Sequence, residues 1–116
     1  MPGISPITTH ILDTAKGCPA SGVPISIEID RGGSWTKLSS GTTNADGRVP
    51  DLLPSDKPLE AGRYRMRFET GKYFSDNKQE GFYPYVEVVF EIKKTDQHYH
   101  IPLLLSPFGF STYRGS

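Results

Sequence analysis

An alternation of apolar and polar residues with a period of two most constrains the fold of this chain. Between residues 63 and 69, Tyr64, Met66 and Phe68 alternate with three arginines and a glutamate. Successive side chains of a β-strand point to opposite faces, so this segment predicts a strand with one buried and one charged face. The alternation recurs in short segments along most of the chain, which favours β-strands over helices.

Turn residues separate these segments at short and regular distances. The chain has 116 residues, and its 12 glycines and 10 prolines are spread evenly, as is typical of many short elements. About eight strands with this spacing predict an all-β sandwich or barrel. We place the strands at 7–13, 25–30, 35–43, 48–54, 63–69, 83–92, 98–106 and 108–113, and one short helix within 71–80.

Length and charge set further bounds on the protein. The length predicts one domain over residues 1–116, with 1–6 as a flexible N-terminus. The 13 basic and 13 acidic residues cancel, which argues against nucleic-acid binding and against a polybasic membrane patch. No apolar run approaches the roughly 20 residues that a membrane span requires. Several strands carry apolar residues on both faces, and we expect an oligomer to cover the second face.

Cysteine usage and the two termini bear on the compartment. The single cysteine, Cys18, excludes a disulfide within the chain and favours a reducing environment. The N-terminus lacks the basic and apolar segments of a secretory signal, and the C-terminus is not a Ser-Lys-Leu address. We therefore expect a cytoplasmic protein, or a peroxisomal one if the source is eukaryotic. Cys18 lies between Gly17 and Pro19 in a turn, which favours a small, buried or half-exposed side chain over a nucleophile.

Three histidines, His10, His98 and His100, are candidates for chemistry because of their placement. His98 and His100 are two residues apart on a predicted strand and therefore point to one face. His10 shares its face with Thr8 and Leu12, and all three imidazoles can meet if the two strands share a sheet. Three roles stay open on the residues alone: structural histidines, a three-histidine zinc site, or metal-free acid–base catalysis.

Arg48 lies directly after a predicted turn formed by Asn44-Ala45-Asp46-Gly47, in which Gly47 suits a positive φ. At the exit of this turn, the guanidinium is either a solvated side chain or a permanent cation that faces a cleft. The arginines of the segment 63–69 form an outward stripe, which we interpret as a solvated face.

Two motifs match the signature segments of the transthyretin family. The first is His10-Ile11-Leu12-Asp13, followed after three residues by Gly17-Cys18-Pro19-Ala20. The second is Tyr99-His100-Ile101-Pro102-Leu103-Leu104-Leu105-Ser106-Pro107-Phe108-Gly109-Phe110. Together with further matching segments, these motifs give a resemblance that covers essentially the whole chain.

Four features resemble the hydroxyisourate hydrolases of that family rather than its thyroid-hormone carriers. His10 stands where the carriers have lysine, Arg48 where they have glutamate, and His100 where they have threonine. The chain closes with Tyr113-Arg114-Gly115-Ser116, the tetrapeptide that ends the hydrolases and is absent from the carriers. Because all four features occur together, the resemblance favours metal-free acid–base catalysis over a zinc site.

The resemblance implies a transthyretin-type β-sandwich that assembles as a homotetramer, with active sites at the mouths of a central channel. It implies hydrolytic opening of 5-hydroxyisourate to 2-oxo-4-hydroxy-4-carboxy-5-ureidoimidazoline in urate breakdown, without a metal or a cofactor. A non-catalytic carrier of small ligands in the same channel is the alternative. The implied catalytic residues are His10, Arg48 and His100, the implied substrate-binding residues are His10, Arg48, Tyr113 and Ser116, and His98 and Arg114 are secondary candidates.

Overall fold

The computed structural model describes residues 5–55 and 58–115, and this part of the chain forms eight strands and one helix. One of the eight strands, Cys18–Pro19, has only two residues. The elements are β1 (Ile7–Asp13), β2 (Cys18–Pro19), β3 (Pro24–Arg31), β4 (Ser34–Thr42), β5 (Gly62–Phe68), α1 (Thr70–Asp76), β6 (Val86–Ile92), β7 (Tyr99–Ser106) and β8 (Gly109–Thr112). The prediction of an all-β protein with one short helix is confirmed.

The strands form two four-stranded sheets, one with the order β2-β1-β7-β8 and the other with the order β4-β3-β5-β6. Neighbouring strands run antiparallel, except that β1 and β7 are parallel. In that parallel pair, Thr8 lies opposite His100 and His10 lies opposite Pro102. The first sheet therefore brings the two ends of the chain together, and with them all three histidines.

The inward faces of both sheets build one core. In β3 the isoleucines at 25, 27 and 29 are buried, and in β5 the residues Tyr64, Met66 and Phe68 are buried, as the alternation predicts. The first sheet contributes every second residue of β1 and most of β7. Its buried apolar side chains are Ile7, Ile11, Tyr99, Ile101, Leu103 and Leu105. Because β1 follows the same alternation, Thr8, His10 and Leu12 face away from this core.

The predicted strand over residues 48–54 is wrong. Arg48 makes only an isolated antiparallel bridge with His10, and the following residues form turns and bends. Pro50 and Pro54 interrupt this segment, and proline cannot donate to a strand ladder. The short strand β2 lies instead within the predicted loop over 14–24, where it pairs with the end of β1.

Three strands begin later than predicted. Strand β6 begins at Val86 rather than at residue 83, because the carbonyl of Pro84 accepts the N–H of Gly71 at the start of α1. Strand β7 begins at Tyr99, which leaves His98 just outside it. Strand β8 covers only Gly109–Thr112, so Tyr113 follows it.

The outer face of the second sheet is closed by ion pairs. Arg65 pairs with Glu28 at 2.7 Å, Arg67 pairs with Glu69 at 2.6 Å, and both also approach Glu87. The predicted charged stripe is therefore present, but Arg65 and Arg67 pair with carboxylates instead of forming a purely solvated face. The histidines lie on the outer face of the first sheet, and this face therefore carries the candidate groups for catalysis.

Residues 1–4, which belong to the predicted flexible segment 1–6, lie outside the described residues. Ser5 is buried, and its hydroxyl donates to the carbonyl of Ile7 at 2.6 Å and accepts the N–H of Leu53 at 3.1 Å. Within the described ranges, no helix is long and apolar enough to cross a membrane.

Candidate active site

The parallel pairing of β1 with β7 places His10 and His100 on the same outer face of the first sheet. Thr8 is the register partner of His100, and His10 is two residues further along β1. Both imidazoles are half-buried, whereas His98 is exposed. The condition under which the histidines can meet, that their strands share a sheet, is therefore fulfilled.

The turn over residues 44–47 places Arg48 beside His10. The side-chain oxygen of Asn44 accepts the N–H of Asp46 at 2.9 Å and the N–H of Arg48 at 3.1 Å. The carbonyl of Gly47 accepts the N–H of Ile11 at 2.9 Å, which fastens the turn to β1. Gly47 has φ +74°, and a Cβ at this position would lie 2.4 Å from the carbonyl oxygen of Ile11. Only glycine allows this approach.

The guanidinium of Arg48 lies against the imidazole of His10, with 3.5 Å between Nη2 of Arg48 and Nδ1 of His10. This distance is at the outer limit of a hydrogen bond, so the permanent charge of Arg48 matters more than the contact itself. Arg48 is exposed on its other side. It can therefore act on the histidines and still reach a bound ligand.

Burial and positive charge keep both half-buried imidazoles neutral. Burial is the largest cause that lowers the pKa of His10, and the charge of Arg48 is the second, while Asp46 opposes both. Burial also leads in lowering the pKa of His100, followed by Arg48, His98 and His10. A histidine with a lowered pKa is uncharged at neutral pH and has one ring nitrogen free to accept a proton.

The C-terminal tail is bound to His100. The N–H of Gly115 donates to the carbonyl of His100 at 2.8 Å, and the two residues form an isolated bridge. A Cβ at Gly115 would lie 2.5 Å from Cδ2 of His100, so the tail backbone lies directly against the ring. Tyr113 is 58% exposed. Ser116, a predicted substrate-binding residue, lies outside the described residues.

Arg114 holds the tail from the side. Its guanidinium lies 4.6 Å from the centre of the Tyr99 ring and donates to the side-chain oxygen of Gln97 at 3.0 Å. Its hydrogen-bond partner is thus the side-chain amide of Gln97 rather than a carboxylate. Arg114 thus contacts neighbours of His100 along the chain rather than its imidazole.

Sequence reasoning missed Thr8 as a participant. Its hydroxyl oxygen lies 3.1 Å from Nε2 of His98 and 2.8 Å from Nδ1 of His100. A hydroxyl two residues before His10 on the same strand face was the available signal. The pairing register of β1 with β7, which makes the signal meaningful, is not contained in either strand alone.

The described ranges 5–55 and 58–115 contain no group of three or more His, Cys, Asp or Glu side chains that could hold a metal ion. Nε2 of His98 and Nδ1 of His100 converge on a hydroxyl, as hydrogen-bonded imidazoles do. The prediction that Cys18 is buried or half-exposed is wrong, because Cys18 is exposed in the short strand β2.

Known proteins with a similar sequence include hydrolases of one family. The sequence profile of the HIUase/Transthyretin family matches residues 7–115. The 5-hydroxyisourate hydrolase of Salmonella typhi is 46% identical over 98% of this chain and 83% of its own.

Two solved structures are similar over nearly their whole length. The 5-hydroxyisourate hydrolase of Klebsiella pneumoniae is 40% identical, with a TM-score of 0.80 over 95% of this chain and 92% of that one. Sea bream transthyretin in complex with thyroxine is 34% identical, with a TM-score of 0.90 over 96% of this chain and 95% of that one.

Proposed function

The chain belongs to the HIUase/Transthyretin family, and from this premise we propose that it hydrolyses 5-hydroxyisourate in urate degradation. Its relatives identify it as a hydrolase. The observation that carries the proposal is the placement of Arg48 beside His10, on the outer face that also carries His100. This arrangement supplies two neutral imidazoles and one permanent cation, which are the groups that hydrolysis of a cyclic acyl urea needs.

The proposed reaction is an addition of water to a ring carbonyl. One imidazole removes a proton from the water as its oxygen bonds to the carbonyl carbon. The carbonyl oxygen becomes an oxyanion, which the guanidinium of Arg48 stabilises through its forked donors. The ring C–N bond then breaks, and the proton passes from the imidazolium to the leaving nitrogen. The product is 2-oxo-4-hydroxy-4-carboxy-5-ureidoimidazoline, in which the six-membered ring is open.

Of His10 and His100, one is the base, and the other is the proton shuttle that helps to carry the proton from that base to the leaving nitrogen. The charge of Arg48 lowers the pKa of both histidines, which keeps them unprotonated and able to act as a base. We assign Tyr113 and Ser116 to substrate binding, because the tail that carries them is fixed beside His100 through Gly115. His98 and Arg114 have supporting roles.

We further propose a homotetramer in which this outer face lines a channel. Phe82 and Phe108 are each 69% exposed. The ring of Tyr83 packs edge-on against Phe82 at 5.0 Å and against Phe110 at 5.2 Å, so the rings of Phe82, Tyr83 and Phe110 form a continuous aromatic patch. A patch of this kind is uncommon on a monomer and supports assembly with further copies.

A carrier of small ligands is the second candidate function. It is supported by the similarity to sea bream transthyretin, whose structure contains thyroxine. A carrier would bind hydrophobic phenols in the channel and leave the decay of hydroxyisourate unchanged.

Freshly prepared 5-hydroxyisourate, followed by its absorbance with and without the protein, tests the proposal. We expect a large acceleration by the wild-type protein. The variant Arg63→Lys is a control for the effect of replacing an arginine away from the candidate site, and we expect it to keep the wild-type rate. Arg63 lies on the outer face of the other sheet, where it pairs with Glu91. Unchanged decay together with tight binding of a phenol would establish the carrier instead.

A further inference from the structure

The hydroxyl of Thr8 lies between two imidazoles. Its oxygen is 2.8 Å from Nδ1 of His100 and 3.1 Å from Nε2 of His98. Thr8 is half-buried in β1, directly opposite His100, and the branched side chain of threonine has few rotamers. The hydroxyl is therefore held in place between the rings rather than free to rotate away.

A hydroxyl has a single proton, and this limits the ways in which the three groups can be protonated. In one arrangement, Nδ1–H of His100 donates to Thr8, and Thr8 donates to a bare Nε2 of His98. In the other, Nε2–H of His98 donates to Thr8, and Thr8 donates to a bare Nδ1 of His100. When both rings are neutral, they carry their protons on Nδ1 in the first arrangement and on Nε2 in the second.

Only the first arrangement leaves Nε2 of His100 free to accept a proton. In the second arrangement Nε2 already carries its hydrogen, and the lone pair of the ring is used at Nδ1. We propose that Thr8 is a positioning residue that couples the tautomer of His100 to the protonation of the exposed His98. This inference rests on the proposed function only in so far as His100 transfers protons there.

The coupling also gives a proton a defined route. When Nε2 of His100 takes a proton, Nδ1 can pass its own proton to Thr8, and Thr8 can pass its hydroxyl proton to Nε2 of His98. His98, at the end of this route, is exposed to solvent. The other groups that act on His100 are Arg48, from the turn, and His10, on β1. The permanent positive charge of Arg48 opposes retention of a proton on His100 and favours its transfer to His98, from which the same route can return a proton for the leaving nitrogen.

Nitrogen NMR of protein labelled with ¹⁵N-histidine tests the coupling without any substrate. At a pH where both rings are neutral, we expect His98 and His100 of the wild type both to carry their protons on Nδ1. The variant Thr8→Val keeps the branched shape but has no hydroxyl, and we expect both rings to lose this preference. Thr8→Ser restores the hydroxyl and should restore the wild-type spectrum. Opposite tautomers in the wild type, or an unchanged spectrum in Thr8→Val, would overturn the inference.

A double-mutant cycle provides the kinetic test. Thr8→Val should lower kcat by about tenfold with little change in KM, the loss expected for one hydrogen bond to a group that becomes charged. His98→Ala should lower kcat by a few-fold in the wild type and have no further effect in Thr8→Val, because the hydroxyl that connects them is gone. Independent, additive effects of the two changes would contradict the coupling.

The two tests separate this inference from the proposed function. If the wild-type protein does not accelerate hydroxyisourate decay, the proposed function fails, and the NMR experiment still decides whether the tautomers are coupled. If the wild type is active and Thr8→Val keeps both its kcat and its spectrum, the coupling fails and the proposed function stands.

Discussion

Substitution of Gly115 by alanine should disable the active site without unfolding the protein. An added Cβ would lie 2.5 Å from Cδ2 and 3.1 Å from Cγ of His100. Carbon atoms in contact are about 3.5–4.0 Å apart, so the tail or the ring must move by about 1 Å. The ring cannot turn aside freely, because its Nδ1 is hydrogen-bonded to Thr8.

A misplacement of about 1 Å in a positioned group costs about 10²-fold in rate, which corresponds to about 2.7 kcal/mol of barrier. Gly115 lies outside the core, so we expect the free energy of unfolding to change by less than about 1 kcal/mol. Stopped-flow absorbance of 5-hydroxyisourate gives kcat, and thermal denaturation gives the stability.

Gly109→Ala is the matched control for this prediction. A Cβ at Gly109 would meet only Oγ of Ser106, at 3.7 Å, which is an ordinary contact. We expect this variant to keep its kcat. A fully active Gly115→Ala protein, or equal losses in both variants, would refute the argument that the tail backbone positions the His100 ring.

The remaining predictions concern the proton-transfer groups, the cation and the tail. His10→Ala and His100→Ala should each lose about 10²–10⁴ in turnover, measured at full substrate saturation, while His98→Ala should lose far less. Wild-type rates in both His10→Ala and His100→Ala would contradict the assignment of these two histidines to proton transfer. Arg48→Gln should shift the acid limb of the pH–rate profile to higher pH, because the positive charge that lowers both histidine pKa values is lost, and protonation of the base then begins at a higher pH. Arg48→Glu should abolish turnover by repelling the oxyanion, and an active variant would mark Arg48 as a solvated turn residue. Deletion of residues 113–116 should change the stability by less than about 1 kcal/mol and lower turnover by orders of magnitude, and normal turnover in the truncated protein would remove the tail from the site.

Local pattern predicted those elements whose two faces differ sharply. The alternation in β3 and β5 reports directly which side chains are buried, and both strands occur where it places them. The prediction of a strand over 48–54 failed because the apolar residues of this segment lie in turns and bends. Leu52 is fully buried although no strand is present there. Burial alone therefore does not identify a strand.

The candidate site was predictable in its residue types but not in its connections. His10, Arg48 and His100 stand at matching motif positions, and the resemblance names them without any coordinates. The contacts of Thr8 with His98 and His100 depend on the register of β1 against β7, two strands about 90 residues apart in sequence. No local pattern encodes that register, and the amide partner of Arg114 likewise depends on how the C-terminal tail pairs with β7.

The parallel pairing of β1 with β7 has a consequence for the order in which the chain folds. The hairpin of β3 with β4 and its extension by β5 and β6 join neighbouring segments, whereas β1 must wait for β7, which is synthesised about 90 residues later. Closing so long a loop is slow because its entropy is lost before any contact forms. We expect pulsed hydrogen exchange to show protection in β3 and β5 before β1 and β7, and simultaneous protection would contradict this order. The apolar side of β1 then stays uncovered throughout synthesis, so a stalled or shortened chain is exposed to aggregation before it has any site at all.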